Sequence, residues 1–126
     1  MKDDRRLRRL VDGDTAWLWS VRQKLDRNRY DNCRLTLSLW REGSRSCLSI
    51  VFRPGPDRVI SNTYFEAGTV VALPERDWLN LYEPKTVRSL LQIATARGQL
   101  PRGPGTKEID GWHLFEDLMA VQNAEA

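Results

Sequence analysis

The one histidine of the chain, His113, stands in Asp110-Gly111-Trp112-His113 and is followed by Glu116 and Asp117. A carboxylate three or four residues away on a helix can orient an imidazole, so any histidine-dependent catalysis must run through this position. The same spacing describes an ordinary solvated helix face, and nothing else completes a catalytic set. The chain contains no G-x-S-x-G elbow and no S-x-x-K pair to activate a serine. The carboxylate pairs Asp12 with Asp14 and Glu116 with Asp117 read as a turn and a helix face. Gly103-Pro104-Gly105 lacks the Lys-Ser/Thr ending of a phosphate-binding loop and the strand-to-helix setting of a dinucleotide site. Cys33 and Cys47 are too far apart for the close spacing of a zinc site, and a single histidine leaves few further ligands. The sequence therefore predicts no enzyme, no cofactor and no metal.

What remains is surface chemistry. Cys33-Arg34-Leu35-Thr36-Leu37-Ser38-Leu39-Trp40 alternates strictly, which is the pattern of a half-buried strand with its three leucines on one face. The opposite face carries Arg34, Thr36, Ser38 and Trp40. A second run, Ser46 to Phe52, places Leu48, Ile50 and Phe52 together and turns Cys47, Ser49 and Val51 the other way. A sheet face mixing arginine, hydroxyls and an indole suits a protein contact, because Trp and Arg are enriched at interface hot spots. It also suits single-stranded nucleic acid, through stacking and phosphate contacts, and it describes a plain solvated face. The paired arginines Arg5-Arg6 and Arg8-Arg9 form a second candidate anion footprint, offset by Asp3 and Asp4. The predicted partner-binding set is Arg34, Thr36, Ser38, Trp40 and Ser49, with Arg6 and Arg8.

The elements that must position these residues follow from pattern and turn chemistry. Glu42-Gly43-Ser44-Arg45 predicts a type II′ turn with Gly43 as its first central residue, because glycine takes a positive φ without strain. That turn pairs Leu39 with Leu48, Leu37 with Ile50 and Leu35 with Phe52. Every inward residue then meets an inward partner, and the two cysteines fall on opposite faces, too far apart to bond. An earlier hairpin is predicted from Leu7–Val11 and Thr15–Val21. With Asp12-Gly13 at its centre it sets Arg8 against Trp17 and Arg6 against Trp19, guanidinium beside indole. Trp17 and Trp19 share one face and are expected in the core.

Asp26 to Asn32 reads as a loop, and Arg53-Pro54-Gly55-Pro56-Asp57 as a breaker. Strands are expected at Arg58–Ser61 and Gly68–Leu73, and Trp78 to Tyr82 as a last strand or a buried connector. Val87, Leu90, Leu91 and Ala94 predict a helix over 84–97, with Pro84 in the first turn and Gly98 as cap. Gln99 to Lys107 reads as a flexible connector. Beyond it, either Asp110 caps a second helix carrying Leu114, Phe115, Leu118 and Val121, or a strand runs through 109–115 with a short helix after it. Residues 1–5 and 123–126 are expected to fray.

Those elements amount to an α+β domain, an antiparallel sheet of five to six strands with one or two C-terminal helices packed on one face. The length of 126 residues, with 40% hydrophobic and 29% charged side chains, fits one such domain with its own core. No apolar run reaches a membrane span, and the charged N-terminus predicts neither signal peptide nor anchor. Net charge is +3, but residues 1–58 hold 14 basic and 8 acidic side chains against 6 and 9 in residues 59–126. Such polarity can steer an anionic partner. Since 16 of the 20 basic residues are arginine, GC-rich coding is the competing explanation.

Trp17-Leu18-Trp19-Ser20-Val21-Arg22, Cys33-Arg34, Val51-Phe52-Arg53, Asn80-Leu81-Tyr82-Glu83-Pro84, Val87-Arg88 and Asp110-Gly111-Trp112 together resemble a group of small bacterial proteins from high-GC genomes without an assigned activity. The resemblance spans nearly the whole chain. It implies a single domain in a bacterial cytoplasm and carries no catalytic residue across. The functional expectation is a non-enzymatic cytoplasmic domain that binds another protein, as an accessory subunit, a regulator or an immunity-type inhibitor. The alternative is a nucleic-acid-binding module using the basic, Trp-containing face.

The inward face can be checked by paired substitutions. Leu37→Ala is expected to cost about 2–5 kcal/mol, and Ser38→Ala no more than about 0.5 kcal/mol, in denaturant melts. Equal losses would mean that the strand faces the other way.

Overall fold

The computed structural model describes residues 7–61 and 67–125. The chain runs through β1 (Arg8–Asp12), β2 (Thr15–Lys24), a single 3-10 turn (Tyr30–Asn32), β3 (Arg34–Arg41), β4 (Ser46–Phe52), β5 (Arg58–Ile60), β6 (Thr69–Ala72), β7 (Asp77–Asn80), α1 (Pro84–Ala96), β8 (Gly105–Asp110) and α2 (Gly111–Glu125). It is an α+β fold with two sheets. The larger is mixed and mostly antiparallel, in the order β1-β2-β3-β4-β8, and the smaller is the antiparallel meander β5-β6-β7.

The β3–β4 pairing is the one that alternation demands, with Leu35 opposite Phe52, Leu37 opposite Ile50 and Leu39 opposite Leu48. The connecting turn differs from the type II′ expectation. Ser44 N–H donates to the Arg41 carbonyl at 3.1 Å, so Gly43 is the second central residue of a turn that starts at Arg41, and its φ of 83° closes the loop there. The strand register survives because the loop still spans the same four residues, Glu42 to Arg45.

The first hairpin needs a correction. Its central residues are Gly13 and Asp14, so Arg8 pairs with Trp19 and Leu10 with Trp17. This two-residue shift leaves every side chain on its expected face and brings Leu10 rather than an arginine against Trp17, which the buried face requires. Arg8 still stacks on an indole, with its guanidinium carbon 5.2 Å from the Trp19 ring centre. Arg6 lies outside the described residues. Trp17 and Trp19 are both in the core.

Both helices cover the leucine face of the large sheet. Val87, Leu90, Leu91 and Ala94 of α1 and Leu114, Phe115 and Leu118 of α2 join Leu35, Leu37, Leu39, Leu48, Ile50 and Phe52 in one cluster. The small sheet turns Ile60, Val70 and Leu79 onto the same cluster, so the two sheets and two helices share one core. It is separate from the large sheet because Pro54 and Pro56 stop the ladder after β4. Its inward row is tied to the large sheet from outside the core as well. The Tyr30 hydroxyl donates to the Ile60 carbonyl and accepts from the Ile60 N–H, both at 2.9 Å, and the Gln23 amide donates to the Ser61 carbonyl. Burial raises the Tyr30 phenol above its ordinary value, which keeps its donor proton in place.

The C-terminal quarter combines the two readings left open by pattern. Asp110 ends a strand and also caps a helix, its carboxylate accepting from the Trp112 N–H at 3.0 Å. The second half of the expected flexible connector is not a loop. Gly105 to Asp110 forms β8, which pairs in parallel with β4. Its residues are almost all exposed, so a polar edge strand carried no alternation to betray it. Residues 123–125 continue α2 rather than leaving it.

Where α2 starts, Gly111 sits against the Phe52 ring, and a Cβ built there would lie 2.5 Å from it. Helix propensity favours Gly111→Ala, whereas packing forbids it. Chemical denaturation is expected to show a loss of about 1–3 kcal/mol for Gly111→Ala. Gly103→Ala, whose new methyl group meets nothing, is expected to stay within about 0.5 kcal/mol.

Candidate interaction surface

α1, α2 and the small sheet all pack on the leucine face; on the other face of the large sheet Cys47 and Val51 of β4 are buried, and the remaining described residues are half-buried or exposed. The register arranges that face into rows running across the strands. At one end Leu18, Trp40 and Cys47 lie side by side. Next comes a row of three serines, Ser20, Ser38 and Ser49, then Arg22, Thr36 and Val51. The far end holds Lys24 directly opposite Arg34. From Trp40 to Arg34 the face is about 20 Å long at the usual strand rise.

The structure thus gathers Arg34, Thr36, Ser38, Trp40 and Ser49 on one surface. Trp40, Thr36, Ser38 and Ser49 are half-buried among neighbouring strands, and Arg34 is exposed. Arg8 does not join them. It lies on the opposite face, donates to the Tyr82 carbonyl at 3.0 Å and stacks over Trp19 and Tyr82, so its guanidinium is committed to holding β1 on the segment before α1. Cys33 and Cys47 are both buried free thiols. Cys33 is in the core and accepts from the Asp26 N–H at 3.3 Å, whereas Cys47 belongs to the outer face beside Ser49.

The electrostatics of the face are uneven. Like charges directly opposite on a ladder repel, yet Arg22, Lys24 and Arg34 have no ion-pair partner among the described residues. The nearest loop spends its acids elsewhere. Asp26 accepts from the Asn32 amide and from the Asn28 and Arg29 N–H groups, and these bonds hold its carboxyl below the usual range. Asp31 pairs with Arg29 at 2.9 Å. On the β8 side the sign reverses, with Glu108 bridged to Arg53 at 2.9 Å and Asp110 beside His113 at 3.4 Å. His113 is exposed on α2 and has that one carboxylate contact. Among the described residues no group of three or more acidic, histidine or cysteine side chains could hold a metal ion.

A second surface escaped the sequence reading. The outward row of the small sheet is Val59, Val71 and Trp78. Trp78 is 55% exposed and flanks a shallow apolar depression of about 370 Å³ that also touches Leu73 and Arg76. In Asp77-Trp78-Leu79-Asn80 two large apolar residues are adjacent, and a strand of four residues does not reveal which of them faces in. Pairing with β6 decides it, by aligning Leu79 with Val70 and Trp78 with Val71.

A scan against protein-family models gives no match to this chain, and searches of curated proteins and of solved structures give none. No helix among the described residues is long and apolar enough to cross a membrane.

The open face and the core place different demands on their tryptophans. Trp19→Ala is expected to cost about 3–5 kcal/mol, as for a fully buried aromatic. Trp40→Ala is expected to cost about 1–2 kcal/mol, within the ordinary range for a partly buried site. Thermal and denaturant melts of the two variants measure the difference, and equal losses would show that Trp40 is covered.

Proposed function

We propose that this domain is a non-enzymatic protein-binding module of the cytoplasm, and that its partner docks on the outer face of the large sheet. The observation that carries the reading is the corner of Arg22, Lys24 and Arg34. Lys24 and Arg34 oppose each other across one pair of strands with no carboxylate among the described residues to relieve them. Such repulsion lowers the stability of the free domain and is relieved when a partner supplies the anions. The apolar end, Leu18 and Trp40, gives the same partner a desolvated anchor. The matching surface is therefore acidic at one end and apolar about 20 Å away. Two free cysteines fit a reducing compartment.

Nucleic acid fits less well. Single-strand binding combines a continuous cationic groove with several stacking aromatics. This face has one tryptophan, at the opposite end from Lys24 and Arg34; the arginine in its own row, Arg9, is already paired with Glu42, and Glu108 and Asp110 border the face on the β8 side. Phosphates tracking across the sheet would meet those carboxylates.

The test compares the wild type with Arg22→Glu/Arg34→Glu and with Trp40→Ala in capturing a partner from the native host, alongside binding to a single-stranded oligonucleotide at two salt concentrations. The charge reversal is expected to abolish capture, and Trp40→Ala to weaken the complex about thirtyfold, the loss of an interface hot spot, with both variants folded by circular dichroism. Capture unchanged in both variants would exclude this face. Oligonucleotide binding that is tight, steeply salt-dependent and lost in the charge reversal would favour the nucleic-acid reading instead.

A further inference from the structure

Trp78 also forms one wall of a second, polar groove of about 190 Å³, bounded by β7, the first turns of α1 and the end of α2. The first turn of α1 leaves donors without acceptors. Pro84 has no N–H, and the Val87 N–H already reaches the Glu83 carbonyl at 3.1 Å. The N-cap residue Glu83 makes no side-chain capping bond, so the N–H groups of Lys85 and Thr86 stay uncapped at the positive end of the helix dipole. Thr86 is the second and independent sign. Only 8% of it is exposed, it lines the groove, and its hydroxyl has no hydrogen-bond partner among the described residues. Its oxygen is not sealed off as those of Ser61, Thr69 and Gln99 are, so it reaches solvent at the groove and is available to a ligand there.

The neighbouring groups are donors as well. Ser89 lies one turn on from Thr86 and also lines the groove. The carbonyl oxygen of the Asn80 side chain is taken by the Tyr82 N–H at 2.9 Å, which leaves its amide N–H groups to donate. The Lys85 ammonium has no ion-pair partner among the described residues. One group opposes the set, the exposed carboxylate of Glu83 on the rim.

We propose that this groove binds a small oxyanion, a phosphate or carboxylate group, with any attached ring lying on Trp78. The uncapped N–H groups, the Thr86 and Ser89 hydroxyls and Lys85 face its oxygens, in the manner of anion sites at helix N-termini. The volume is below that of pockets for drug-sized ligands, so the ligand is small. Glu83 sets a limit on affinity by like-charge repulsion. The site is separate from the outer face of the large sheet and does not depend on what binds there.

Backbone amide spectra of the full chain during titration with inorganic phosphate, phenyl phosphate and benzoate test the proposal. Saturable shifts are expected at the Lys85 and Thr86 amides, with phenyl phosphate tighter than inorganic phosphate because of Trp78. A stronger response to benzoate would assign the site to carboxylates, and a stronger response to the two phosphates would assign it to phosphoryl groups. Thr86→Val and Lys85→Ala are each expected to weaken binding about tenfold, the effect of losing one hydrogen bond to a charged acceptor. Glu83→Gln is expected to tighten it. Lys85 and Glu83 are exposed, so their variants keep the test decisive if Thr86→Val fails to fold. The proposal is overturned if no probe gives saturable shifts at these amides, if neither the Lys85 nor the Glu83 variant changes affinity, or if the shifts fall only on Arg22, Lys24 and Arg34.

Discussion

Leu35, Leu37 and Leu39 meet Phe52, Ile50 and Leu48 across the β3–β4 ladder, and all six side chains are sealed from solvent. Each contributes about 1.5–3 kcal/mol through burial. A slip of one residue would turn three of them outward, a loss comparable with the whole net stability of a small domain, about 5–15 kcal/mol. This pairing is the constraint from which the rest follows. It fixes which face attracts α1, α2 and the small sheet, and it thereby decides which face is left open. The same ladder sends Cys33 into the core and Cys47 to the outside.

Once the leucine face is covered, several long-range side-chain hydrogen bonds close that side. Arg8 reaches from β1 to the Tyr82 carbonyl, Arg88 of α1 to the Val11 carbonyl, Tyr30 to both backbone groups of Ile60, and the Trp112 indole N–H to the Arg53 carbonyl at 2.8 Å. Phe52 and Trp112 meet edge to face at 5.2 Å beneath this last bond. Among the described residues no comparable bond ties another element over the outer face, where Arg9–Glu42 and Arg53–Glu108 only join neighbouring segments of the sheet and its turns. Its cations and its tryptophan are therefore presented on a rigid sheet, the kind of scaffold that loses little conformational entropy on binding.

The small sheet extends the molecule in a different direction. By packing Ile60, Val70 and Leu79 on the common core, it turns Val59, Val71 and Trp78 to the surface. Trp78 consequently separates an apolar depression from the polar groove at the start of α1. The donor-rich character of that groove comes from ordinary backbone arithmetic at a helix start with proline at its first position and no side-chain cap.

Local pattern was enough for the central hairpin, both cysteine orientations, the span of α1 and the burial of Trp17 and Trp19, because alternation and helical spacing report directly on which side of an element meets apolar neighbours. It was enough, too, to place Arg34, Thr36, Ser38, Trp40 and Ser49 on one face. It did not reveal β8, whose residues Thr106 to Glu108 are polar and gain their strand geometry only from the β4 ladder. The pairing of the first hairpin was legible only to within two residues, since Asp12-Gly13-Asp14 accepts more than one turn and the opposition of Leu10 to Trp17 chooses between them. Whether Arg8 faced solvent or Tyr82, whether Trp78 pointed in or out, and whether the Thr86 hydroxyl found a partner depended on elements distant in the chain. Tertiary packing alone decided these, because a side chain's environment is set by what lies across from it, and neighbours in sequence carry no record of that.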